Sequence, residues 1–286
     1  MGRQTIIITG ASDGIGAAAA RQLSVKGEQV VLVGRSQAKT AAVAGVLGAA
    51  YYLADFTDLG QVRDLASELR ATYPRIDVLA NNAGGIMGDR EVTKNGFEKT
   101  FQVNHLAPFL LTHLLMPALL QGKAKVLQTS SVAAKGYGSL NIEDLQNEQG
   151  YTPQKAYGNG KLENILFTRW LHRRFYDQGI SAAAFHPGIV ATNFASDTTH
   201  FMRYLYHSPV KRLIMITPDK GAERLVWLAE GTPGRTWMSG EYYEKNKPAK
   251  TSPQADDALL AQQLWERSAA MLGLSEATFA DPKDPR

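Results

Sequence analysis

Cysteine is absent from all 286 residues, which excludes disulfides, thiolate metal sites and a cysteine nucleophile. Charge of one sign is scarce as well: 31 Lys and Arg stand against 27 Asp and Glu. No basic block of the kind that tracks a nucleic-acid backbone occurs, so no nucleic-acid partner is expected. Long apolar runs are also missing. The longest, Leu106 to Leu120, is interrupted by Pro108, Thr112, His113 and Pro117 and reads as a buried helix too short to span a bilayer. The first strand-like run begins at Gln4, leaving no room for a cleavable leader or an anchor helix; a cytoplasmic location is the expectation. His186, His200 and His207 lack metal-ligand spacing and no carboxylate cluster completes a site, so no metal is expected. Repeats and low-complexity stretches are absent; only the end from Asp281 reads as frayed.

What is present is a rhythm. Short β-rich runs alternate with helical patterns: strands at Thr5 to Thr9, Gln29 to Val33, Tyr51 to Leu53, Ile76 to Ala80, Lys125 to Thr129 and Ser181 to Phe185. The longest intervening helices run from Lys99 to Gln121 and from Pro153 to Asp177. Such alternation implies βαβ crossovers and a parallel sheet. The expected fold class is α/β: a single domain over 1–286, a Rossmann-type doubly wound parallel sheet with helices on both faces. After His186 the rhythm breaks into an aromatic-rich stretch. A substrate-covering segment is expected at 193–217, then a helix from Asp219, a last strand near Glu241 to Tyr243 and a C-terminal helical extension at 254–273.

Between the first strand and first helix lie Gly10, Ser12, Gly14 and Gly16. Glycines let backbone approach a pyrophosphate closely, and the N–H groups at the helix start stabilise its charge. The spacing, Gly-x3-Gly-x-Gly, differs from Gly-x-Gly-x2-Gly, and on its own it also fits a simple turn. At the end of the second strand, where an acid would meet a ribose 2'-hydroxyl, Gly34 stands and Arg35 follows. A missing carboxylate together with a guanidinium favours a 2'-phosphate, hence NADP(H) over NAD(H). Asp55, ending the third strand, is placed to meet the adenine.

Tyr157 and Lys161 are four residues apart and share a helical face. A phenol titrates near 10, and a neighbouring ammonium lowers that value. Tyr157 can then donate a proton to a forming alkoxide or, ionised, accept one from an alcohol. Ser130 and Ser131 end the preceding strand, at the edge where open α/β sheets bind ligands; one suits a substrate oxygen and the other a cap.

These motifs, Thr9-Gly10-x3-Gly14-x-Gly16, Asn81-Asn82-Ala83-Gly84, Asn104, Ser131, Tyr157-x3-Lys161 and Pro187-Gly188, occur in one order along nearly the whole chain. The sequence therefore resembles the short-chain dehydrogenase/reductase family. The resemblance implies an oxidoreductase that interconverts a small-molecule carbonyl and alcohol, with Asn104, Ser131, Tyr157 and Lys161 as its catalytic set. It implies that Asn82, Ala83 and Gly84 support the cofactor, that Lys161 also holds the nicotinamide ribose, and that Ile189 and Thr192 flank the carboxamide. Ile15, Phe56, Pro187 and Gly188 complete the cofactor contacts so implied. Family dimers often pair the two long helices, which makes a homodimer an expectation. A catalytically silent dinucleotide sensor is the competing reading; all four catalytic positions are retained here.

Two local features add to this. Pro108 sits four residues after Asn104 and offers no N–H to its carbonyl; the oxygen is then either turned toward the active site, where water would continue a proton path from Lys161, or the proline simply kinks a buried helix. Gly160 stands where the family commonly has Ser or Thr, which close packing or extra substrate volume would explain. The 26-position span from Ser131 to Tyr157, with Asn141-Ile142-Glu143-Asp144-Leu145, His186-Pro187-Gly188, Lys161-Leu162-x-Asn164-Ile165-Leu166-Phe167 and Leu264-Trp265-Glu266, is similar to the retinol-dehydrogenase-like branch. That comparison implies a lipophilic substrate. Phe194, Phe201, Met202, Tyr204 and Tyr206 would cover it or pack ordinary helices.

Overall fold

The structure is a computed structural model that describes residues 2–190 and 216–274. The expected covering segment at 193–217, apart from its last two residues, lies outside them, as do Thr192 and the end from Asp281. Strand β1 (Thr5–Thr9) has Ile6 and Ile8 on one face and Ile7 on the other, all fully buried. A strand buried on both faces needs this continuous apolar run rather than alternation. With β2 (Gln29–Gly34), β3 (Ala50–Leu53), β4 (Val78–Asn81), β5 (Lys125–Thr129), β6 (Ser181–His186), β7 (Tyr242–Glu244) and β8 (Lys247–Pro248), it forms one sheet in the order β3-β2-β1-β4-β5-β6-β7-β8. All pairs are parallel except β7–β8. That last hairpin was not legible beforehand; its two-residue turn, Lys245-Asn246, has positive φ at both positions (49° and 60°), as a tight turn matching strand twist requires.

Helices α1 (Gly14–Val25) and α6 (Pro218–Glu230) cover the face that carries Ile6, Ile8 and Leu127; α2 (Gln37–Leu47) adds Ala44. Helices α3 (Leu59–Thr72), α4 (Lys99–Gly122), α5 (Pro153–Phe175) and α7 (Ala258–Met271) cover the other. Most open on a side chain that caps a free N–H: Asp13, Ser36, Asp58, Thr152, Thr217 and Asp257. Pro153 and Pro218 occupy first-turn positions where no N–H is missed. The chain reverses direction across the sheet between β3 and β4, leaving a crevice at the carboxyl ends of β1 and β4.

Helix α4 corrects one expectation. At 24 residues it is long and apolar enough to cross a membrane by length and composition, so length does not exclude that role; 78% of its apolar window is nevertheless buried within the protein, as a core helix requires. Helix α7 covers the outer faces of α4 and α5. The Trp265 ring meets Phe109 edge-on at 4.8 Å, stacks on Phe167 at 5.7 Å and leans on Phe175 at 6.0 Å. Nearby, His105 Nε2 is 2.8 Å from Ser268 Oγ, and burial pushes His105 down to about 3, so the ring is neutral. Trp265→Ala should lower the unfolding free energy by about 3–5 kcal/mol. Urea denaturation measures this, and a loss below about 1 kcal/mol would show that α7 is an appendage rather than part of the core.

Candidate functional site

The crevice is held open by side chains that tie the ends of three strands together. Thr9 Oγ1 accepts from the N–H groups of Asn82 and Ala83, both at 3.0 Å. Asn82 Nδ2 donates to the Thr9 carbonyl at 3.0 Å, and its Oδ1 accepts from Thr129 Oγ1 at 3.1 Å. The Gly10 loop lies directly against this set: with φ at 66°, a Cβ on Gly10 would come 2.9 Å from Ala83 Cα. Gly14 N donates to Asp13 Oδ1, while Lys39 Nζ is 3.2 Å from Asp13 Oδ2, partly neutralising the one acid in the loop. Ser12 and Ile15 are half-buried at the rim. This cradle of close backbone at the start of α1 fits a pyrophosphate.

At the end of β2, Gly34 is buried and Arg35 exposed. A Cβ on Gly34 would lie 2.2 Å from Thr40 Oγ1 and 3.0 Å from Ser12 Cβ, so no side chain, and hence no carboxylate, fits there. Asp55 Oδ1 accepts from Thr57 N and Thr57 Oγ1, at 2.9 and 2.8 Å. Phe56, expected among the cofactor contacts, turns its ring away from the crevice into the core. Its ring belongs to the apolar core, 6% exposed, and its carbonyl accepts from Gln102 Nε2 at 2.9 Å. An aromatic contact with a nucleotide is closed to it, because burying that ring in the core is the more favourable use of its apolar area.

Lys161 is 2% exposed. Its Nζ donates to the Thr129 carbonyl at 3.0 Å and lies 5.4 Å from the centre of the Tyr157 ring. Burial pushes the amine down to about 7, poised to carry or release a proton near neutrality. Tyr157 is half-buried on the same face. The two serines differ in their bonds: Ser130, 1% exposed, donates to the mid-helix Lys161 carbonyl at 2.7 Å, whereas the oxygen of half-buried Ser131 accepts from Ala133 N at 3.2 Å, as in a turn.

Asn104 arrives from the opposite side. Its Oδ1 accepts from Gly85 N at 3.1 Å, and its Nδ2 donates to the carbonyls of Gly85 and Thr100, both at 2.9 Å. A Cβ on Gly84 would sit 2.6 Å from Asn104 Oδ1 and 3.2 Å from Lys161 Nζ. Three sequence-distant motifs thus meet at one glycine. The helix around Asn104 is opened: Gln102–Leu106 forms a π turn in which Ala107 N donates to the Gln102 carbonyl five residues back. Pro108 supplies no donor to the Asn104 carbonyl four residues back.

Gly160 is explained by packing rather than substrate volume, since a Cβ there would meet Asn104 Cβ at 3.1 Å. Gly158 is tighter: a Cβ would lie 2.7 Å from the Tyr137 carbonyl carbon and 2.8 Å from Gly138 N. The long stretch between Ser131 and Tyr157 folds back onto α5. Asn159 Oδ1 accepts from Ser139 N, Asn159 Nδ2 donates to Asn147 Oδ1, and Gln254 brackets the main chain of Leu140. Pro187 is buried and Gly188 half-buried, while Ile189 is 50% exposed and its carbonyl accepts from Ile216 N.

Several site residues escaped sequence reasoning. The Thr129 carbonyl that receives Lys161 also accepts from Asn164 Nδ2 at 3.3 Å, and main-chain acceptors leave no mark in a sequence. Glu163 stood at the unspecified position of Lys161-Leu162-x-Asn164 and is 1% exposed; an acid inside an apolar run was the available signal. Among the described residues, a groove of about 500 Å³ between α3 and α4 is lined by Arg63, Ala66, Ser67, Arg70, Ala71 and Leu114, and none of the motif residues borders it.

Comparison with known proteins agrees with this geometry. Residues 4–203 match the family described as short chain dehydrogenase. The chain is 41% identical over 277 residues to a protein of Streptomyces sp. (strain C5) named for daunorubicin C-13 ketoreduction, DnrU, covering 94% of this chain and 93% of that protein. It is 36% identical over 294 residues to retinol dehydrogenase 14 of Mus musculus, covering 95% and 86%. A crystal structure of an uncharacterized Mycobacterium paratuberculosis protein, 32% identical, aligns with a TM-score of 0.74 over 95% of this chain and 94% of that one.

The two glycines of α5 should respond differently to a methyl group. Gly158→Ala meets rigid backbone and should cost about 1–3 kcal/mol. Gly160→Ala meets Asn104 Cβ at 3.1 Å, which must give by a few tenths of an ångström, and the helix propensity gained, about 1 kcal/mol, should make it the less costly of the two. Denaturant melts of the two variants give the order; equal stabilities would refute the packing account.

Proposed function

The chain belongs to the short chain dehydrogenase family, in its retinol-dehydrogenase-like branch, and from that premise we propose that this oxidoreductase uses NADP(H) to interconvert a lipophilic carbonyl and its alcohol. The observation that carries the reading is the meeting of Lys161 Nζ and Asn104 Oδ1 at Gly84, with Tyr157 beside the amine. Gly10, Gly14, Gly16, Asn82 and Ala83 would hold the dinucleotide, with Gly84 and Lys161 at its ribose and Gly188 and Ile189 beyond. The cofactor, when bound, supplies or accepts a hydride.

The remaining chemistry falls to the side chains. Tyr157 would give its proton to the substrate oxygen in reduction and take it back in oxidation. The Lys161 amine, when charged, makes the phenol a better acid. Ser131, whose neighbour Ser130 is committed to the α5 backbone, would hold the substrate oxygen. NADP(H) is favoured over NAD(H) because Thr40 closes position 34 to any acid while Arg35, exposed beside it, offers charge-assisted hydrogen bonds to a 2'-phosphate.

The relatives are named for retinol and for a keto group of daunorubicin, and a carbonyl or alcohol on a bulky apolar skeleton is the substrate class proposed here. A cytoplasmic enzyme acting without metal is part of the same reading. The expected homodimer through α4 and α5 would require α7 to be displaced from the surface it covers, so self-association would use another face.

Following NADPH absorbance with a panel of hydrophobic aldehydes and ketones should show turnover. Tyr157→Phe should reduce it by about 100-fold or more while leaving NADPH binding within about twofold. Binding without turnover in the parent protein would instead identify a dinucleotide sensor. Arg35→Asp should lower the NADPH-to-NADH preference by about tenfold, equal to about 1.4 kcal/mol. An unchanged ratio would remove Arg35 from the cofactor site.

A further inference from the structure

Glu163 lies on α5, two residues past Lys161, and is 1% exposed. Neither carboxyl oxygen has a hydrogen-bond partner among the described residues. A buried polar group left in that state costs free energy and calls for an explanation. Its surroundings supply one. A Cβ placed on Gly160 would be 3.1 Å from Asn104 Cβ and 3.9 Å from Glu163 Oε2, so the carboxyl and Asn104 flank the same glycine.

Beyond them stands Glu98, fully buried, whose oxygens cap the helix bearing Asn104 by accepting from Thr100 N at 2.7 Å and Phe101 N at 2.8 Å. Burial, and after it the charge of Glu98, raise Glu163 well above its ordinary value, the direction that favours the protonated form. Glu98 is itself raised by burial, opposed by those two N–H groups and by Arg90. Arg90 reaches outward to the Gln146 carbonyl and Glu148, and Tyr151 sits 3.5 Å from Thr100 Oγ1. The two buried carboxyls are near enough for the charge of Glu98 to act on Glu163. They extend from the Asn104 helix toward the Arg90 and Glu148 surface.

A cycle of carbonyl reduction consumes one proton at Tyr157, and Lys161 is too deeply buried to collect its replacement directly from solvent. Within the π turn at Gln102–Leu106, Pro108 offers the Asn104 carbonyl no N–H four residues on, which leaves that oxygen an acceptor for water. We propose that Glu163 is the proton-holding residue behind Asn104, which, together with Glu98, passes a solvent proton by way of the Asn104 carbonyl and bridging water toward Lys161 and Tyr157. The balance is one proton taken from water at the surface for each proton Tyr157 delivers, with hydride coming from the nucleotide. The inference rests on the reduction reading above, and its test is built to fail separately from that reading.

Glu163→Gln preserves shape and cannot ionise. Infrared difference spectra on adding NADP⁺ should show a protonated-carboxyl band in the parent protein that shifts with the nucleotide, moves in D₂O within mixing time, and is absent in Glu163→Gln. In steady state the variant should lose about tenfold in kcat, keep KM values within about twofold, and lose the solvent isotope effect on kcat. Where Glu163→Gln does not fold, Pro108→Ala serves. It restores a donor to Asn104 and should leave the carboxyl band in place but insensitive to NADP⁺, with slower turnover and nucleotide affinity little changed. A band indifferent to NADP⁺ or to D₂O in the parent protein overturns the proposal, as does full turnover with an unchanged isotope effect in Glu163→Gln. Absence of any carbonyl reduction in the parent would defeat the reduction reading instead, while the infrared result still decides whether Glu163 holds an exchangeable proton coupled to the nucleotide site.

Discussion

A single main-chain oxygen, the carbonyl of Thr129, receives both Lys161 Nζ and Asn164 Nδ2 from helix α5. An amine withdrawn from water has to be satisfied, and inside this sheet edge few acceptors exist that are not already spent on strand pairing. The consequence is mutual. Burial takes the Lys161 amine out of water and pushes it down to about 7, and α5 is locked in register against the end of β5. Ser130 closes the same joint from the strand side by donating to the Lys161 carbonyl. Tyr157, one turn earlier, inherits its position from that joint.

Around the joint, glycine is used to bring backbone and side chains together. At Gly84 the missing Cβ is the place where Asn104 and Lys161 approach each other, and at Gly158 and Gly160 it allows α5 to touch the 137–138 loop and the Asn104 helix. The stretch 138–150 and the turn at Gln254 clamp the start of α5 through Asn159, Asn147 and Leu140, while α7 seals its outer face with Trp265. Polar clamps give direction and the aromatic seal gives stability, because only the latter removes substantial apolar area from water.

Alternation of β-rich and helical runs made strands β1 to β6 and the long helices readable; all but the exposed edge strand β3 are largely apolar runs, as a parallel sheet buried on both faces imposes. Observed bounds differ from the expected ones by a residue or two, as with β4 at Val78–Asn81, because strand ends depend on hydrogen-bond register. The β7–β8 hairpin, at two residues for its last strand, was too short to leave a period. Tyr157, Lys161, Asn104, the Gly10 loop and Asn82 were legible as motifs. The inward turn of the Phe56 ring was not legible, because a position beside a strand end does not say which way a side chain points. Gly160 was undecidable in the sequence, since nothing in the chain near it names Asn104 as the neighbour.

The sequence by itself determined the alternation of parallel strands and helices and the candidate reacting side chains, because those follow from local periodicity and from chemistry that only certain residue types possess; the strand order came from the structure. Tertiary structure alone decided which groups share a microenvironment: Lys161 against the Thr129 carbonyl, Glu163 beside Asn104 and Glu98, Thr40 filling the place of an acid at Gly34. Desolvation and contact are set by what lies across space, and residues separated by many positions in the chain carry no local trace of the neighbours that folding gives them.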